Sequence, residues 1–343
     1  MASDQPFQPS LGDVLVVRSM LAQAVILPEL VGTILDYAEY WVRSCSKAQL
    51  DESIHAIWSS DGYYQGSKFL LRSFPVGLTE NAIHREEDED EYMYEDDNSS
   101  ESGSSNSNDS GGSNFSDGDS SNFSDSGSSS SSNGRSYETA TIPPIPIGKA
   151  CDREYFQSLI RNPPTQPHPV RKIVFRIVSH DQGWTSDDQS PGPFIVARTW
   201  FDAGIERFDA SHSCEECEDM RKLPLCKLRT IEPEIVTVTS DDGQSDNQYA
   251  KTPYQGPREI QRNKMADGNF QTYVTTWTCW DVYAPDSEEA RRKMEEGKGR
   301  MNGDGSFVRS LGLGDVVTVW GRALYAGWVN VVESVEIEIY WAL

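Results

Sequence analysis

The chain has 343 residues, with 30 Lys plus Arg against 54 Asp plus Glu and a formal net charge of -24. Such a chain repels phosphate backbones and anionic bilayer surfaces, so neither nucleic acid nor a membrane is expected as a partner. The opening MASDQPFQPS lacks the basic start of a signal peptide, no apolar run is long enough to span a bilayer, and the 6 cysteines are not laid out as a secreted disulfide framework; the expected location is the cytoplasm or nucleus.

In chain order, the apolar positions of Ile26, Leu27, Leu30, Val31, Ile34, Leu35, Ala38 and Trp41 recur at helical spacing. With Pro28 suited to a first turn, they predict a helix from Pro28 to Arg43. A weaker helix around Leu50 to Trp58 completes an N-terminal helical segment over residues 1–60. Leu27-Pro28-Glu29-Leu30-Val31 with Ile34-Leu35 resembles the opening of an F-box, the helical module that docks substrate receptors onto the adaptor subunit of cullin-type ubiquitin ligases. The resemblance implies Leu27, Leu30, Ile34 and Leu35 as partner-docking residues. Read from the residues alone, the same stripe packs an amphipathic helix on its own domain.

Within residues 61–85, Ser67 to Arg72 is a short apolar run read as a strand that pairs beyond the acidic tract. That tract, 86–140, opens with six acidic residues, Glu86 to Glu91, and passes into Ser, Asn, Gly and Asp. It has too little apolar surface to offset chain entropy, so it is expected to be a disordered insertion within one domain. Residues 141–343 form the main domain.

There a short helix, Asp152 to Ile160, precedes a strand in which Ile173, Phe175 and Ile177 alternate with Val174, Arg176 and Val178. A polar corner follows, Ser179-His180-Asp181-Gln182-Gly183-Trp184, and then a second strand, Phe194 to Asp202. Further strands are expected at Glu234 to Ser240, Phe270 to Trp280, Asp315 to Tyr325 and Trp328 to Trp341. In the last, Val335, Ile337, Ile339 and Trp341 share a core face, and Glu336, Glu338 and Tyr340 a wet one. A solvated helix, Asp286 to Glu296, is read as capped by Asp286 and laced by Glu288 to Arg292 and Glu289 to Lys293. Many strands, long connections and few helices predict a mainly β fold, an antiparallel β-sandwich of jelly-roll type.

Gly314 to Val319, Gly327 to Asn330 and Val335 to Ile339 resemble the closing strands of galactose-binding-like jelly rolls. The Leu-Pro-Glu helix, the Ser179 to Trp184 corner, Thr199-Trp200-Phe201 and Gly327-Trp328-Val329-Asn330 together resemble a fungal family of intracellular proteins. That resemblance implies the same domain organisation and no catalytic residue.

Ser179-His180-Asp181 invites comparison with a catalytic triad, but neighbours in an extended chain project to opposite faces and cannot bond in series. The chain also lacks Gly-x-Ser-x-Gly and any Walker loop, so no enzyme activity is expected. His180, Asp181, Gln182, Trp184, Trp200 and Trp328 are candidate ligand-binding residues at a sandwich rim, with polar groups to orient a ligand and aromatic faces for a sugar ring or cation. Loop hydrogen bonding by the polar residues and core filling by the tryptophans is the alternative, and favoured, reading. His212, Cys214, Cys217 and Cys226 supply four soft ligands at zinc-like spacing, the one cofactor the sequence suggests, in a loop whose acids equally suit plain solvation. The expected function is a non-enzymatic binding or adaptor protein reading a protein or small ligand at the rim. An F-box-like substrate receptor and a zinc-binding protein are the alternatives, and a protein partner is expected.

Overall fold

A computed structural model describes residues 7–24, 27–58, 64–80, 166–186, 192–209, 225–239, 245–250, 254–299 and 303–343, with single positions at 137, 139, 156, 157, 160, 163, 164, 190 and 223. Two helices open it, α1 (Leu11–Gln23) and α2 (Pro28–Tyr37). Strands β1 (Val42–His55), β2 (Ile57–Trp58), β3 (Tyr64–Arg72), β4 (Val170–His180), β5 (Thr199–Phe208), β6 (Leu228–Glu232), β7 (Ile235–Thr239), β8 (Ser245–Tyr249), β9 (Glu259–Arg262) and β10 (Gln271–Thr278) follow. Helices α3 (Glu288–Glu295) and α4 (Ser306–Ser310) precede β11 (Val316–Leu324) and β12 (Val329–Trp341). No helix among the described residues is long and apolar enough to cross a membrane.

One antiparallel sheet has the order β1-β12-β4-β10 and the other β2-β3-β11-β5-β6, with β9 also on β5. Because β9 pairs with Trp200 to Asp202 and β6 with Ile205 to Phe208, the two lie end to end along one edge of β5. They are two halves of one strand, interrupted by the β7–β8 hairpin. Counted so, and without the two-residue β2, the strand orders are 1-8-3-6 and 2-7-4-5, those of a jelly roll. The fold is the mainly β, antiparallel sandwich that the strand pattern predicts. Its core lies between the sheets, where Phe175, Ile177, Val335 and Ile337 meet Phe201, Ile205, Val317 and Val319.

Several elements differ from expectation, each for a local reason. The helix expected to reach Arg43 ends at Tyr37, where Glu39 adopts a φ of 49° and the Tyr40 amide returns to the Leu35 carbonyl (2.9 Å). In place of a second helix near Leu50, β1 runs beside β12 from Val42 opposite Trp341 to His55 opposite Val329. Its inward positions include Ser44 and Ser46, which hide the period of two; the Ser46 hydroxyl accepts from the Phe74 amide (3.1 Å). The strand expected from Phe194 begins at Thr199, since residues 192–195 form a turn, and it continues past Asp202 to Phe208. The N-cap of α3 is Ser287, not Asp286: its hydroxyl accepts from the Ala290 amide (3.1 Å), and Glu289 pairs with Arg292 three residues on.

β3 pairs with β11, beyond the acidic tract. Most of that tract lies outside the described residues, but Tyr137 is buried, its hydroxyl donates to the Ser73 carbonyl, and the Thr139 carbonyl accepts from the Arg72 amide (2.8 Å). Of the helix expected over 152–160, Phe156, Gln157 and Ile160 are described; Phe156 is buried beside Phe208 and Val316.

Several charged residues are buried in pairs. Glu338, placed on the wet face of β12, is only 4 % exposed and lies 2.7 Å from Arg43. On the outer face of β5, Glu206 meets Arg72 (2.8 Å) and Asp202 meets Arg322 (3.0 Å). Tyr249 of the hairpin sits edge-on over Trp320, and Tyr254 over Trp200, so this face is covered by protein. A strand with acidic outward positions is thereby buried on both sides.

Candidate functional site

The corner Ser179 to Trp184 lies at one end of the sandwich, on a floor made by two fully buried asparagines. Asn263 Nδ2 donates to Thr199 Oγ1 (3.0 Å) and Asn330 Oδ1 (2.9 Å), and Ser179 Oγ donates to Asn263 Oδ1 (2.7 Å). Asn330 Nδ2 donates to the carbonyls of Trp200 and Arg322 (3.2 Å each). This network ties the ends of β4, β5, β11 and β12 together and satisfies polar groups that would otherwise be buried without partners. Ser179 is spent in it, and no serine–histidine–aspartate series forms.

Above the floor the polar motif holds its own loop. Asp181 is fully buried and accepts from the amides of Gly183 (2.9 Å) and Ala266 (2.7 Å); Gly183 takes a φ of 81° that suits glycine. Burial pushes the Asp181 carboxyl up, and those amides pull it partly back. Gln182 bridges the Trp184 carbonyl (2.9 Å) and the Val329 amide (3.3 Å). The His180 ring bonds the Asp181 carbonyl and stands edge-on to Phe270 at 4.5 Å. Of the six candidate residues, Trp184 alone presents a large side chain to solvent, 66 % exposed. Trp328 is buried with Ala197 and Met265, and Trp200 is not at the rim surface at all: it is fully buried and donates to Asp202 (3.1 Å).

A test separates these roles. Asp181→Ala removes a buried acceptor that holds two loop amides and is expected to destabilise by about 1–3 kcal/mol, whereas Trp184→Ala stays within about 0.5 kcal/mol. Urea unfolding of both variants checks this, and a larger loss at Trp184 would reverse the assignment.

The rim has members that sequence reasoning missed. Tyr325, at a φ of 70°, is exposed, and its amide donates to the Tyr64 carbonyl (3.0 Å); Tyr64 is packed edge-on to exposed Trp58 at 4.9 Å. A Cβ at Gly327 would touch Trp184 at 3.9 Å, which places that ring on the same turn as Tyr325. Arg198, immediately before β5, reaches over Tyr254 and Tyr325. An isolated Arg-Thr-Trp and a Leu-Tyr-Ala-Gly-Trp turn carry no spacing that joins them; the β5–β11 ladder does so.

At the opposite end, α2 divides its apolar residues. Val31 and Leu35 are buried, while Leu27, Leu30, Ile34 and Tyr37 are 64 %, 48 %, 39 % and 94 % exposed. The helix is fixed in place by Asp36, which accepts from Arg171 Nε (2.8 Å) and Nη2 (3.1 Å) and from Trp41 Nε1 (2.9 Å). Three of the four docking candidates therefore face solvent, and the fourth, Leu35, packs inward.

For zinc, His212, Cys214 and Cys217 lie outside the described residues, and Cys226 is half-buried in a short 3-10 helix, Leu225–Lys227. Among the described residues, Cys45, Glu336 and Glu338 bring ligand atoms within 4.8 Å of one another. Positive charge is already supplied there by Arg43 (2.7 Å from Glu338), Arg176 (3.4 Å from Glu336) and Lys47 (3.7 Å from Glu336). Burial, helped by the two glutamates, pushes the Cys45 thiol up to about 11, away from the thiolate a metal requires. This cluster reads as an ion-pair network on the sheet surface.

A scan against protein-family models finds no match, and searches among curated proteins and solved structures find no similar chain.

Proposed function

We propose that the protein is a non-enzymatic binding or adaptor protein whose jelly roll serves as a rigid frame and whose α2 docks in an apolar groove of a protein partner. The observation that carries this is the stripe Leu27, Leu30, Ile34 and Tyr37, all exposed on one helical face while Val31 and Leu35 secure the other. Such i, i+3, i+7 anchors are how an amphipathic helix fills a partner's groove. An isolated exposed leucine needs no explanation, but a contiguous apolar face on an anchored helix marks an interaction surface. Of the acids near the stripe, Asp36 is already paired with Arg171 and Glu39 with Lys172, which leaves Glu29 to meet a Lys or Arg at the edge of the groove.

The test is site-specific. A photo-crosslinking residue at Leu30 or Ile34 is expected to capture one dominant protein in cells, with no such product from Val274 on the sheet surface. Leu30→Asp with Ile34→Asp should abolish the interaction and leave the unfolding midpoint in place, because both side chains already contact water. Capture no stronger than at Val274 ends the proposal.

An F-box-like substrate receptor is the narrower form of the same reading. Exposure of Leu27, Leu30 and Ile34 supports it, whereas an F-box continues into further helices and here the chain enters β1 at Val42. Calorimetric titration with the purified ligase adaptor subunit decides between the two; no heat from that subunit, with a different protein cross-linked at Leu30, leaves only the broader form.

A further inference from the structure

The buried arginines of the described fold each face a carboxylate: Arg72 with Glu206, Arg171 with Asp36, Arg229 with Asp209, Arg262 with Glu259 and Arg322 with Asp202. Half-buried Arg207 and Arg258 do so as well, with Asp315 and Glu232. Arg198 departs from this pattern. Its Nε is buried with no hydrogen-bond acceptor, and no carboxylate among the described residues pairs with its guanidinium. Tyrosine rings hold it instead, Tyr254 at 4.7 Å and Tyr325 at 5.3 Å from the guanidinium carbon.

The mounting is rigid. The Tyr254 hydroxyl is within bonding distance of the Ile195 and Ala197 carbonyls (2.9 and 3.0 Å) and accepts from Arg262 Nη1 (2.8 Å). The Arg198 carbonyl accepts from the Leu324 amide (2.9 Å), and Tyr325 follows in left-handed backbone, a conformation that costs energy for a non-glycine residue. The two rings lie within cation–π distance of the guanidinium, and its fork of N–H donors has no carboxylate partner among the described residues. Such a fork matches the oxygens of a carboxylate or phosphate. Exposed Tyr325, with Trp184 against Gly327 on the same turn, provides an apolar wall beside it.

We propose that Arg198 is the anchor of a rim site for a compact oxyanion, the carboxylate or phosphate group of a small ligand, with Tyr325 and Trp184 as its aromatic wall. The net charge of -24 selects against polyanions, and one guanidinium suits one anionic group. The site is independent of the docking helix: Asp36 of α2 binds Arg171 at the start of β4, whereas the rim lies at the end of that strand.

The experiment titrates the full chain with sodium acetate and with inorganic phosphate at constant ionic strength set by chloride, following tryptophan emission and binding heat. A saturable response to one of them is expected, and which one responds distinguishes a carboxylate from a phosphate ligand. Loss of a charge-assisted hydrogen bond predicts that Arg198→Leu weakens it about tenfold or more. Should Arg198→Leu not fold, Tyr325→Leu, an exposed position, is expected to weaken the same response several-fold. No saturable response to either anion, or undiminished binding by the folded variants, overturns the proposal.

Discussion

Replacing Arg72 by methionine is expected to destabilise the protein by about 3–5 kcal/mol, because it strands a buried carboxylate. Glu206 has no exposed surface and takes Arg72 Nε at 2.8 Å and Nη2 at 3.2 Å. Arg72 in turn lies over the Phe69 ring at 4.6 Å, so the methionine keeps most of the packing and removes the charge. A loss of that size is a large part of the roughly 5–15 kcal/mol that holds a typical domain together. The double variant Arg72→Met with Glu206→Leu is expected to recover most of it, since two apolar groups leave neither charge behind. Burial already pushes the Glu206 carboxyl up, and Arg72 restrains it; without that restraint Glu206 takes a proton more readily, so the deficit of Arg72→Met shrinks in acid. Urea unfolding at neutral pH and near pH 5 measures both effects. A single variant as stable as the parent would show that the pair contributes nothing.

The same pair shows what the sequence could disclose. Strands with apolar residues at every second position, β4 and β12, were legible because one face of each meets the core. β1 was not, because Ser44 and Ser46 occupy inward positions and a polar inward residue reads as a break in the pattern. β5 was cut short at Asp202 for the converse reason: its outward acids looked solvated, and their partners Arg72 and Arg322 lie on β3 and β11, 134 and 120 residues away. Pairing across such separations leaves no local trace. The polar corner was found, and the structure shows the loop-bonding use that was weighed for it: His180, Asp181 and Gln182 bond the loop backbone. The groups that reach solvent beside it, Tyr325 and Trp184, share one turn only through the packing of Gly327.

Lowering the pH from about 7.5 to about 5 is expected to raise the unfolding midpoint, opposite to ordinary acid denaturation. Asp202 is fully buried, and burial pushes its carboxyl up to about 6 despite the pull of Arg322 and of the Trp200 indole. The same burial bears on Arg322, which nevertheless stays charged because a guanidinium has no accessible neutral form. An unfolded aspartate ionises near pH ~4, so between about 4 and 6 the native state holds a proton that the unfolded chain has lost. The stability from this group is therefore complete below about 4 and disappears as pH rises through about 6. Burial raises Asp181 and Glu206 as well, with the same sign. Asp13, Asp267, Glu296 and Asp304 are lowered by local hydrogen bonds and act oppositely, losing their contribution only as pH falls below the ordinary carboxylate range. The midpoint should thus peak between the two windows. Asp202→Asn removes one titrating group and should flatten the rise between pH ~7.5 and ~5, by an amount bounded near 3 kcal/mol for a shift of about two pH units. Because slopes are compared, the cost of leaving Arg322 beside an amide cancels. Calorimetric melts of both proteins across this range provide the measurement, and an undiminished rise in Asp202→Asn would assign the proton to another group.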